Sequence, residues 1–265
     1  DIVVMRAYKK LIAQVVVAAL LVIGSDVRIR SLFGVFGVYE LNYFLSVIFS
    51  IVTFIILVNA YNLIDGIDGL AGVYGVICFS LFGISYYRLG EYNYPLVLLS
   101  TSIIGAVLGF LYYNLSERTK KIFMGDTGSM LLGFLLTFTA ICFIDIFIAK
   151  RGPGVVYYHL NSAPVIAVAI LILPIIDTLN VIIIRLAEKR SPFDADKNHI
   201  HHKLLKLGLS HKRATFYIIS YYLFIVAVAY FFRHIDVNLL LVIILSLGFL
   251  GAYLPNIYSK FKIRN

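Results

Sequence analysis

The chain has 265 residues, of which 61% are hydrophobic and only 14% charged, with a mean hydropathy of +0.92 and a formal net charge of +9. Soluble domains usually carry about 25% charged residues, so the composition excludes a soluble globular fold and indicates an integral membrane protein. The basic residues lie in loops between apolar runs, which argues against a nucleic-acid-binding protein.

Continuous apolar runs predict an all-α, polytopic transmembrane bundle of about eight spans, because a helix needs about 20 apolar residues to cross a bilayer. The runs do not alternate with period two, which disfavours a transmembrane barrel. A short hairpin is expected in the outer segment 27–40, which is rich in Val, Phe, Tyr and Gly. The predicted spans cover residues 11–24, 41–58, 70–87, 95–113, 128–148, 164–184, 215–232 and 238–255.

Lysine and arginine are distributed unequally between the two sides that eight spans define. Seventeen lie on the side of both termini and six on the other side. The positive-inside rule therefore places the first side in the cytoplasm. Four polar stretches lie on this predicted cytoplasmic side, at residues 1–10, 59–68, 114–129 and 185–213. Acidic, amide and histidine residues gathered at one face of a bundle predict an active site at the lipid–water boundary.

The second polar stretch, NAYNLIDGID, follows directly on an apolar run. Its polar residues Asn59, Asn62, Asp65 and Asp68 recur at every third position, which predicts that neighbours lie on roughly one helical face. An unpaired charge in hydrocarbon costs at least about 2.5 kcal/mol, and this loop contains no Lys or Arg. A cation or the donor groups of a ligand would satisfy the two aspartates; a solvated loop with helix caps is the alternative.

The third stretch ends in Phe123–Ser129 (FMGDTGS), at the start of another predicted span. Thr127 and Ser129 are residue types that cap helix N-termini, where free amides favour anions. Asp126 beside them suits a hard cation such as Mg²⁺, which takes oxygen ligands and often shares them with a substrate phosphate. Phe123 offers a ring for stacking on a planar base. The alternative is a plain helix cap in which backbone amides satisfy Asp126.

The fourth stretch is the longest and most basic loop, and it contains His199, His201 and His202 beside Lys197 and Lys203. Three histidines in four positions are compatible with zinc, but no Cys and no HExxH pattern accompany them. Contact with phosphate or sugar oxygens is therefore favoured over zinc and over a solvated loop.

One acidic residue, Asp177, lies inside a predicted span beside Pro174. An acidic residue within a membrane is a functional candidate by default, because burying its charge is costly. Pairing with Asn180 or Arg185 is an equal alternative.

Three motifs, NAYNLIDGIDGLAG, KIFMGDTGS and HIHHKLLKLGLSHKRA, occur in this order between Asp1 and about His211. Together they resemble the polyprenyl-phosphate N-acetylhexosamine-1-phosphate transferases of glycosyltransferase family 4. The HxHH spacing is most similar to the undecaprenyl-phosphate N-acetylglucosaminyl-1-phosphate transferase branch. The phospho-N-acetylmuramoyl-pentapeptide transferase branch, with three consecutive histidines, is the alternative within the family.

The resemblance implies one integral membrane transferase domain, residues 1–265, in the bacterial inner membrane with a cytoplasmic active site. Its reaction would be transfer of N-acetylhexosamine 1-phosphate from a UDP-sugar to undecaprenyl phosphate, with release of UMP. The product would start a cell-envelope polysaccharide such as lipopolysaccharide O-antigen or teichoic acid. The implied partners are the polyprenyl phosphate lipid, the UDP-N-acetylhexosamine and the membrane, with a homodimer left open and no nucleic acid.

The resemblance also assigns roles to individual residues. Asn62 and Asp126 match Mg²⁺ ligands of the family, and Mn²⁺ is a chemically similar substitute. Asp68 matches a residue that contacts uracil, and Phe123 one that stacks on it. The catalytic candidates are Asp1, Asp65, Asp68 and Asp126, and the substrate-binding candidates are Lys10, Asn59, Asp68, Lys121, Phe123, His199, His201 and His202.

The chain departs from the family pattern at its beginning. Members carry a pair of aspartates about ten residues before the equivalent of Lys10, and here only Asp1 stands at the second position. The chain is therefore expected to lack N-terminal spans of the family. A secondary transporter is the alternative from another class, but it would place acidic residues near the bilayer midplane, often in inverted repeats, and neither feature is seen.

Overall fold

The computed structural model describes residues 7–116, 121–148, 160–191 and 198–264, and this part is almost entirely helical. The predicted all-α polytopic bundle is confirmed. The elements are α1 (Ala7–Gly24), β1 (Ser31–Val35), β2 (Val38–Glu40), α2 (Tyr43–Ile64), α3 (Leu70–Arg88), α4 (Tyr94–Asn114), α5 (Gly125–Ile146), α6 (Ala163–Ile170), α7 (Ile172–Ala187), α8 (Ile200–Lys206), α9 (His211–Phe231) and α10 (Val237–Arg264).

The expected count of about eight spans is too high. Within the described residues six helices are long and apolar enough to cross a membrane, or seven if the pair α6 and α7 is one span bent by 75°. The predicted span that fails this criterion is the first, 11–24, which lies in α1, a helix of only 18 residues. The uncharged part after Lys10 extends about 21 Å at 1.5 Å per residue, which is less than the hydrocarbon thickness of about 30 Å.

Helix α1 nevertheless connects the two ends of the bundle. Near its beginning, Lys10 forms an ion pair with Asp126 in the first turn of α5. Beyond its end, Arg30 contacts Asp145 near the last turn of α5, at 2.9 Å. Between these points α1 packs on α2 and α5 through a small apolar cluster that includes Ala18 and Val22. Lys10 is thereby held at the end of the bundle where the polar loops lie.

The break between α6 and α7 is stabilised by tyrosines from other helices. A sharp bend leaves backbone carbonyls without their helical donors, and such groups need partners in an apolar environment. The carbonyl of Ile170, the last residue of α6, accepts hydrogen bonds from the hydroxyls of Tyr74 at 2.8 Å and Tyr222 at 3.0 Å. Both tyrosines are fully buried. The bend sets the direction of α7, which carries Asp177.

The expected outer hairpin is confirmed as the antiparallel pair β1 and β2. Its turn is tied to α10, because the amide of Phe36 donates to Asn238 at 2.7 Å and Asn238 donates to the carbonyl of Gly34 at 3.3 Å. The hairpin precedes the start of α2, whereas the NAYNLIDGID motif lies at the end of that helix, and the hairpin contributes no residue to the site described next.

Candidate active site

The NAYNLIDGID motif forms the end of α2 and the loop that follows. Asn59 and Asn62 lie in the last two turns of the helix, as predicted. The prediction that all four polar residues share one helical face is wrong for Asp65 and Asp68, because α2 ends at Ile64. Asp65 is the C-cap and Asp68 lies in the following turn. The chain reverses at Gly69, whose φ of 78° suits glycine, before α3 begins.

Asp126 lies beside Asn62 and Lys10. The Asn62 side chain is hydrogen-bonded to Asp126, and Lys10 forms an ion pair with the same carboxylate. Ser129 donates its hydroxyl to Asn62 Oδ1. The N-cap role expected of Thr127 and Ser129 is wrong, because α5 begins at Gly125, after Met124, and its N-cap makes no side-chain hydrogen bond. Ser129 instead fixes the amide orientation of Asn62.

Asp65 lies next to two other carboxylates. Burial raises its pKa to about 6, and the negative charges of Asp126 and Asp68 add to the increase. Among the described residues, no Lys or Arg forms an ion pair with Asp65. Asp65 is therefore a carboxylate that no described Lys or Arg neutralises directly.

Asp68 is the centre of a second polar cluster. Its Oδ2 contacts Lys121 Nζ at 2.7 Å and His211 Nδ1 at 2.9 Å. Burial alone would raise the pKa of Asp68, but the hydrogen bonds from Lys121 and His211 lower it below its usual value. Lys121 also lies 5.4 Å from the ring centroid of Phe123. The Phe123 ring is 74% exposed, so its face is accessible to a ligand.

A buried amide, which the sequence reasoning missed, joins the two motifs. Asn114 accepts from the Gly69 amide at 2.8 Å and donates to the Ile122 carbonyl at 2.9 Å. It therefore fixes the loop of Asp68 against the segment that carries Lys121 and Phe123. His211 was also missed, although it lies within the third quoted motif. Both residues lie within polar stretches that the sequence marks out, His211 in 185–213 and Asn114 at the start of 114–129, but nothing local indicates which partners they contact.

The histidine motif packs against the α2–α3 loop. A Cβ placed on Gly66 would lie only 2.1 Å from His201 Nε2, so only glycine allows this close approach. His201 is 2% exposed, and its ring lies 4.3 Å from that of His202. Burial lowers the pKa of His201 to about 4, against an opposing effect of Asp177, so this ring is neutral near pH 7. His201 therefore offers the site no positive charge near pH 7.

His199 is held by Asp177, a partner that neither expected alternative included. His199 Nδ1 lies 2.7 Å from Asp177 Oδ2, and the Ile200 amide donates to Asp177 Oδ1 at 2.7 Å. No three His, Cys, Asp or Glu residues of the described segments form a group able to hold a metal ion by themselves.

The structure thus brings together most of the predicted residues. Lys10 meets Asp126, Lys121 contacts both Asp68 and Phe123, and His201 meets the loop at Gly66. Asn59 lies slightly apart, where it exchanges hydrogen bonds with Gln14. Asp1, a predicted catalytic residue, lies outside the described residues.

Comparison with known proteins identifies relatives of this chain. A decaprenyl-phosphate N-acetylglucosaminephosphotransferase of Mycolicibacterium smegmatis is 39% identical over 46% of this chain and 29% of its own length. A probable undecaprenyl-phosphate N-acetylglucosaminyl 1-phosphate transferase of Bacillus subtilis is 39% identical over 43% of this chain and 28% of its own. An undecaprenyl-phosphate alpha-N-acetylglucosaminyl 1-phosphate transferase of Salmonella typhi is 29% identical over 77% of this chain and 53% of its own length.

The chain spans between about a quarter and a half of the length of these curated relatives. The pattern of glycosyl transferase family 4 matches residues 1–144, which is more than half of the chain and includes the loop of Asp65 and Asp68 together with Asp126. The candidate site thus lies largely inside the matched region, and the chain belongs to glycosyl transferase family 4.

Proposed function

We propose that the protein transfers N-acetylglucosamine 1-phosphate from its UDP-sugar to undecaprenyl phosphate, releasing UMP and starting a cell-envelope polysaccharide. Family membership and the names of the relatives support a polyprenyl-phosphate phosphotransferase. The observation that carries the proposal is the convergence of three distant motifs at one end of the bundle. The loop between α2 and α3 carries Asp65 and Asp68. It is adjoined by Lys121 and Asp126 from one distant motif and by His201 from another.

The residues around Asp126 fit a Mg²⁺ ion by their chemistry. Asp126 and Asn62 supply hard oxygen atoms, and Asp65 is a third oxygen donor nearby whose charge lacks a basic partner among the described residues. Mg²⁺ usually takes one or two protein carboxylates and completes its shell with water and substrate phosphates. A complete protein cage is therefore not required. When bound, the ion would neutralise diphosphate charge and improve UMP as a leaving group; Mn²⁺ would substitute.

The cluster at Asp68 suits the nucleotide. The exposed ring of Phe123 is free to stack on a planar base, and Asp68 offers a carboxylate oxygen to ring N–H groups. Lys121 and His211 hold that carboxylate in place and keep it ionised. Base stacking on an aromatic side chain is worth about 1–3 kcal/mol, which is enough to fix the donor while its diphosphate reaches Asp126.

The remaining residues serve the two phosphates. Lys10 beside Asp126 would attract the lipid phosphate, and the histidines beside Gly66 would contact the oxygens of the diphosphate or sugar. A phosphate monoester is already mostly ionised near pH 7, because its second pKa is about 6. A strong general base is therefore unnecessary. Direct attack by the lipid phosphate, with Asp1 orienting or deprotonating it, is our preferred route; a two-step route through an aspartyl intermediate is the alternative.

The proposal places this site on the cytoplasmic face of the bacterial inner membrane. The support is the bias of 17 basic residues against 6 between the two sides of the predicted spans. The donor nucleotide is a cytoplasmic metabolite, and the acceptor is confined to the bilayer, so the two can meet only at this boundary. A second copy of the chain is an open part of the proposal, which a mass measurement in detergent would test.

The decisive assay measures UMP release from UDP-N-acetylglucosamine in membranes that contain the protein and are supplied with undecaprenyl phosphate. We expect release that requires the lipid, requires added Mg²⁺ and stops in excess chelator. Parallel reactions with UDP-N-acetylgalactosamine and with the UDP-muramoyl pentapeptide would identify the donor. Release of no UMP from any donor, as a transporter would give, would refute the proposed reaction.

A further inference from the structure

Asp177 is a buried carboxylate on the second half of the bent pair of helices. It is 1% exposed, and it lies in α7 after Pro174, in the second turn of the helix. The 75° bend before α7 turns this helix toward the histidine motif. A carboxylate in such surroundings is costly unless its oxygens accept hydrogen bonds, so its position is not incidental.

Both oxygens of Asp177 are used, and both are used by the histidine motif. Oδ2 faces His199 Nδ1 at 2.7 Å, and Oδ1 accepts the amide of Ile200 at 2.7 Å. The second contact satisfies one of the free amides at the start of α8, while the first fixes the imidazole ring of the residue before it. One side chain therefore sets both the position of the short helix and the orientation of His199.

The contact also selects a tautomer. An ionised carboxylate only accepts hydrogen bonds, so the proton of a neutral His199 ring must lie on Nδ1. Nε2 is then left as the atom with a lone pair. Histidines that act on ligands are commonly fixed in this way by a carboxylate or carbonyl on the other ring nitrogen. His199 is also stacked on His201, with centroids 5.6 Å apart and planes within 9°, so its ring has little freedom to rotate.

We infer that Asp177 is a positioning residue of the transferase, which acts through His199 by holding it with Nδ1 protonated and Nε2 directed to the substrate. This inference rests on the proposed function, in which the histidines contact the diphosphate or sugar oxygens. Of these groups a sugar hydroxyl is the one that can donate to the Nε2 lone pair, because phosphate oxygens only accept. It differs from a purely structural role, in which the carboxylate would only stabilise the packing of α7 against α8. The two roles predict different kinetics.

The test is the variant Asp177→Asn, which keeps the shape of the side chain. Its amide can donate to Nδ1, which then loses its proton, and Nε2 becomes the protonated atom. We expect kcat to fall about 10–100-fold, as is typical when the partner of a functional histidine is changed, while KM for the UDP-sugar changes less than about threefold. In a His199→Gln background the same change should have no further effect on kcat, because its effect acts through His199. An unchanged kcat, or additive losses in the double variant, would overturn the inference.

Thr178→Val is the matched control. Thr178 neighbours Asp177, and its hydroxyl is buried without a hydrogen-bond partner among the described residues, so its replacement by an isosteric methyl removes no such bond. It should leave kcat within about twofold. If Thr178→Val lowers kcat as much as Asp177→Asn, general packing of α7 explains both and the inference fails.

A spectroscopic measurement separates this inference from the proposed reaction. The imidazole ¹⁵N shifts of His199 report which ring nitrogen carries the proton, and they require no turnover. We expect the Nδ1–H form in the unmodified protein and the Nε2–H form in Asp177→Asn. An Nε2–H form in the unmodified protein overturns the inference even if the enzyme is active. An Nδ1–H form in a protein that releases no UMP would leave the Asp177–His199 geometry correct and refute the proposed function instead.

Discussion

The two ends of α5 carry charged clusters that differ in how their charge is balanced. At the outer-hairpin end, Arg30 bridges Asp145 at 2.9 Å and Asp26 at 2.6 Å, and Arg28 contacts Asp26 at 2.7 Å. Those two carboxylates have two arginines. At the other end, Asp65, Asp68 and Asp126 share Lys10 and Lys121, and Asp65 has no basic ion-pair partner in the described segments.

This difference indicates what each cluster is for. Charges that the protein balances itself need nothing else, and they contribute to holding the hairpin and α1 against α5. A carboxylate without a direct basic partner is costly until something positive arrives. A protein retains such a group where a ligand supplies the compensating charge. The same helix therefore offers a structural carboxylate at one end and a candidate functional one at the other, and variants at the two ends can be compared directly.

The largest expected effect is that of Asp126→Ala, compared with Asp145→Ala in the same helix. Removing Asp126 should lower UMP release about 10²–10³-fold, because the proposed metal ion would lose a carboxylate ligand and with it the position from which it neutralises the diphosphate charge. Asp145→Ala should keep turnover per folded molecule within about threefold, because Arg30 retains Asp26 as a partner. Turnover is normalised to folded protein by size-exclusion chromatography in detergent. Equal losses at both ends would mean that the contrast between the clusters has no functional meaning.

The next effect is at Gly66, the position where the histidine motif contacts the acidic loop. In Gly66→Ala the new methyl would lie 2.1 Å from His201 Nε2, and the buried ring cannot rotate away freely. We expect His201 to be displaced and kcat to fall about 10–100-fold, since misplacement by about 1 Å is enough for such a loss. Gly109→Ala in α4 is the control, because a Cβ there meets nothing within 4 Å. If both variants retain full activity, the contact of His201 with the loop is not needed.

A smaller effect is expected from Asp68→Asn, for which Asp26→Asn is the matched change. Each of these aspartates has two basic partners, Lys121 and His211 for Asp68 and Arg28 and Arg30 for Asp26. Loss of the Asp68 carboxylate should raise KM for the UDP-sugar about tenfold, equivalent to about 1.4 kcal/mol, with a smaller change in kcat. Asp26→Asn should alter neither constant. A change confined to kcat would remove Asp68 from the nucleotide site.

Much of this arrangement could be predicted from the sequence because its signals are local. Continuous apolar runs identified the helices, and the spacing of Asn59 and Asn62 placed them on one helical face. The family resemblance added the expectation that Asp68 and Phe123 serve one ligand. The structure brings these two residues together through Lys121.

The remaining features depend on contacts between distant segments. The bend after Ile170 is stabilised by Tyr74 and Tyr222, which lie 96 and 52 residues away along the chain. No periodicity in α6 or α7 reports these partners, so a single straight span was the natural prediction. The partner of Asp177 lies 22 residues further along, across a loop, whereas local spacing had suggested a neighbour on the same helix. Local patterns give element types, and only tertiary packing gives partners.

The smallest expected effect is a difference in the acid stability of the two ends. His201 has a pKa of about 4 in the folded protein against 6.5 when unfolded, so the unfolded chain binds more protons between these values. Stability from this group is therefore present above pH 6.5 and is lost as the pH falls toward 4. For Asp26 the folded pKa is lowered from 3.8, so its contribution is lost only as the pH falls below that value. Of these two groups, His201 therefore loses its contribution at the higher pH.

The contribution of Asp65 to stability changes in the opposite sense. Its folded pKa of about 6 lies above the unfolded value of 3.8, so this contribution grows as the pH falls. The effect of His201 is therefore isolated as a difference between the unmodified protein and His201→Gln, in which the Asp65 contribution cancels. Between pH 7.5 and pH 5 the unmodified protein should lose about 2 kcal/mol more than the variant, at 1.36 kcal/mol per pKa unit. Apparent Tm in detergent should show this as about 4–8 °C. Asp26→Asn should leave the pH dependence over this range unchanged; if it instead abolishes the loss, the acid-sensitive group lies at the outer cluster and the contrast is reversed.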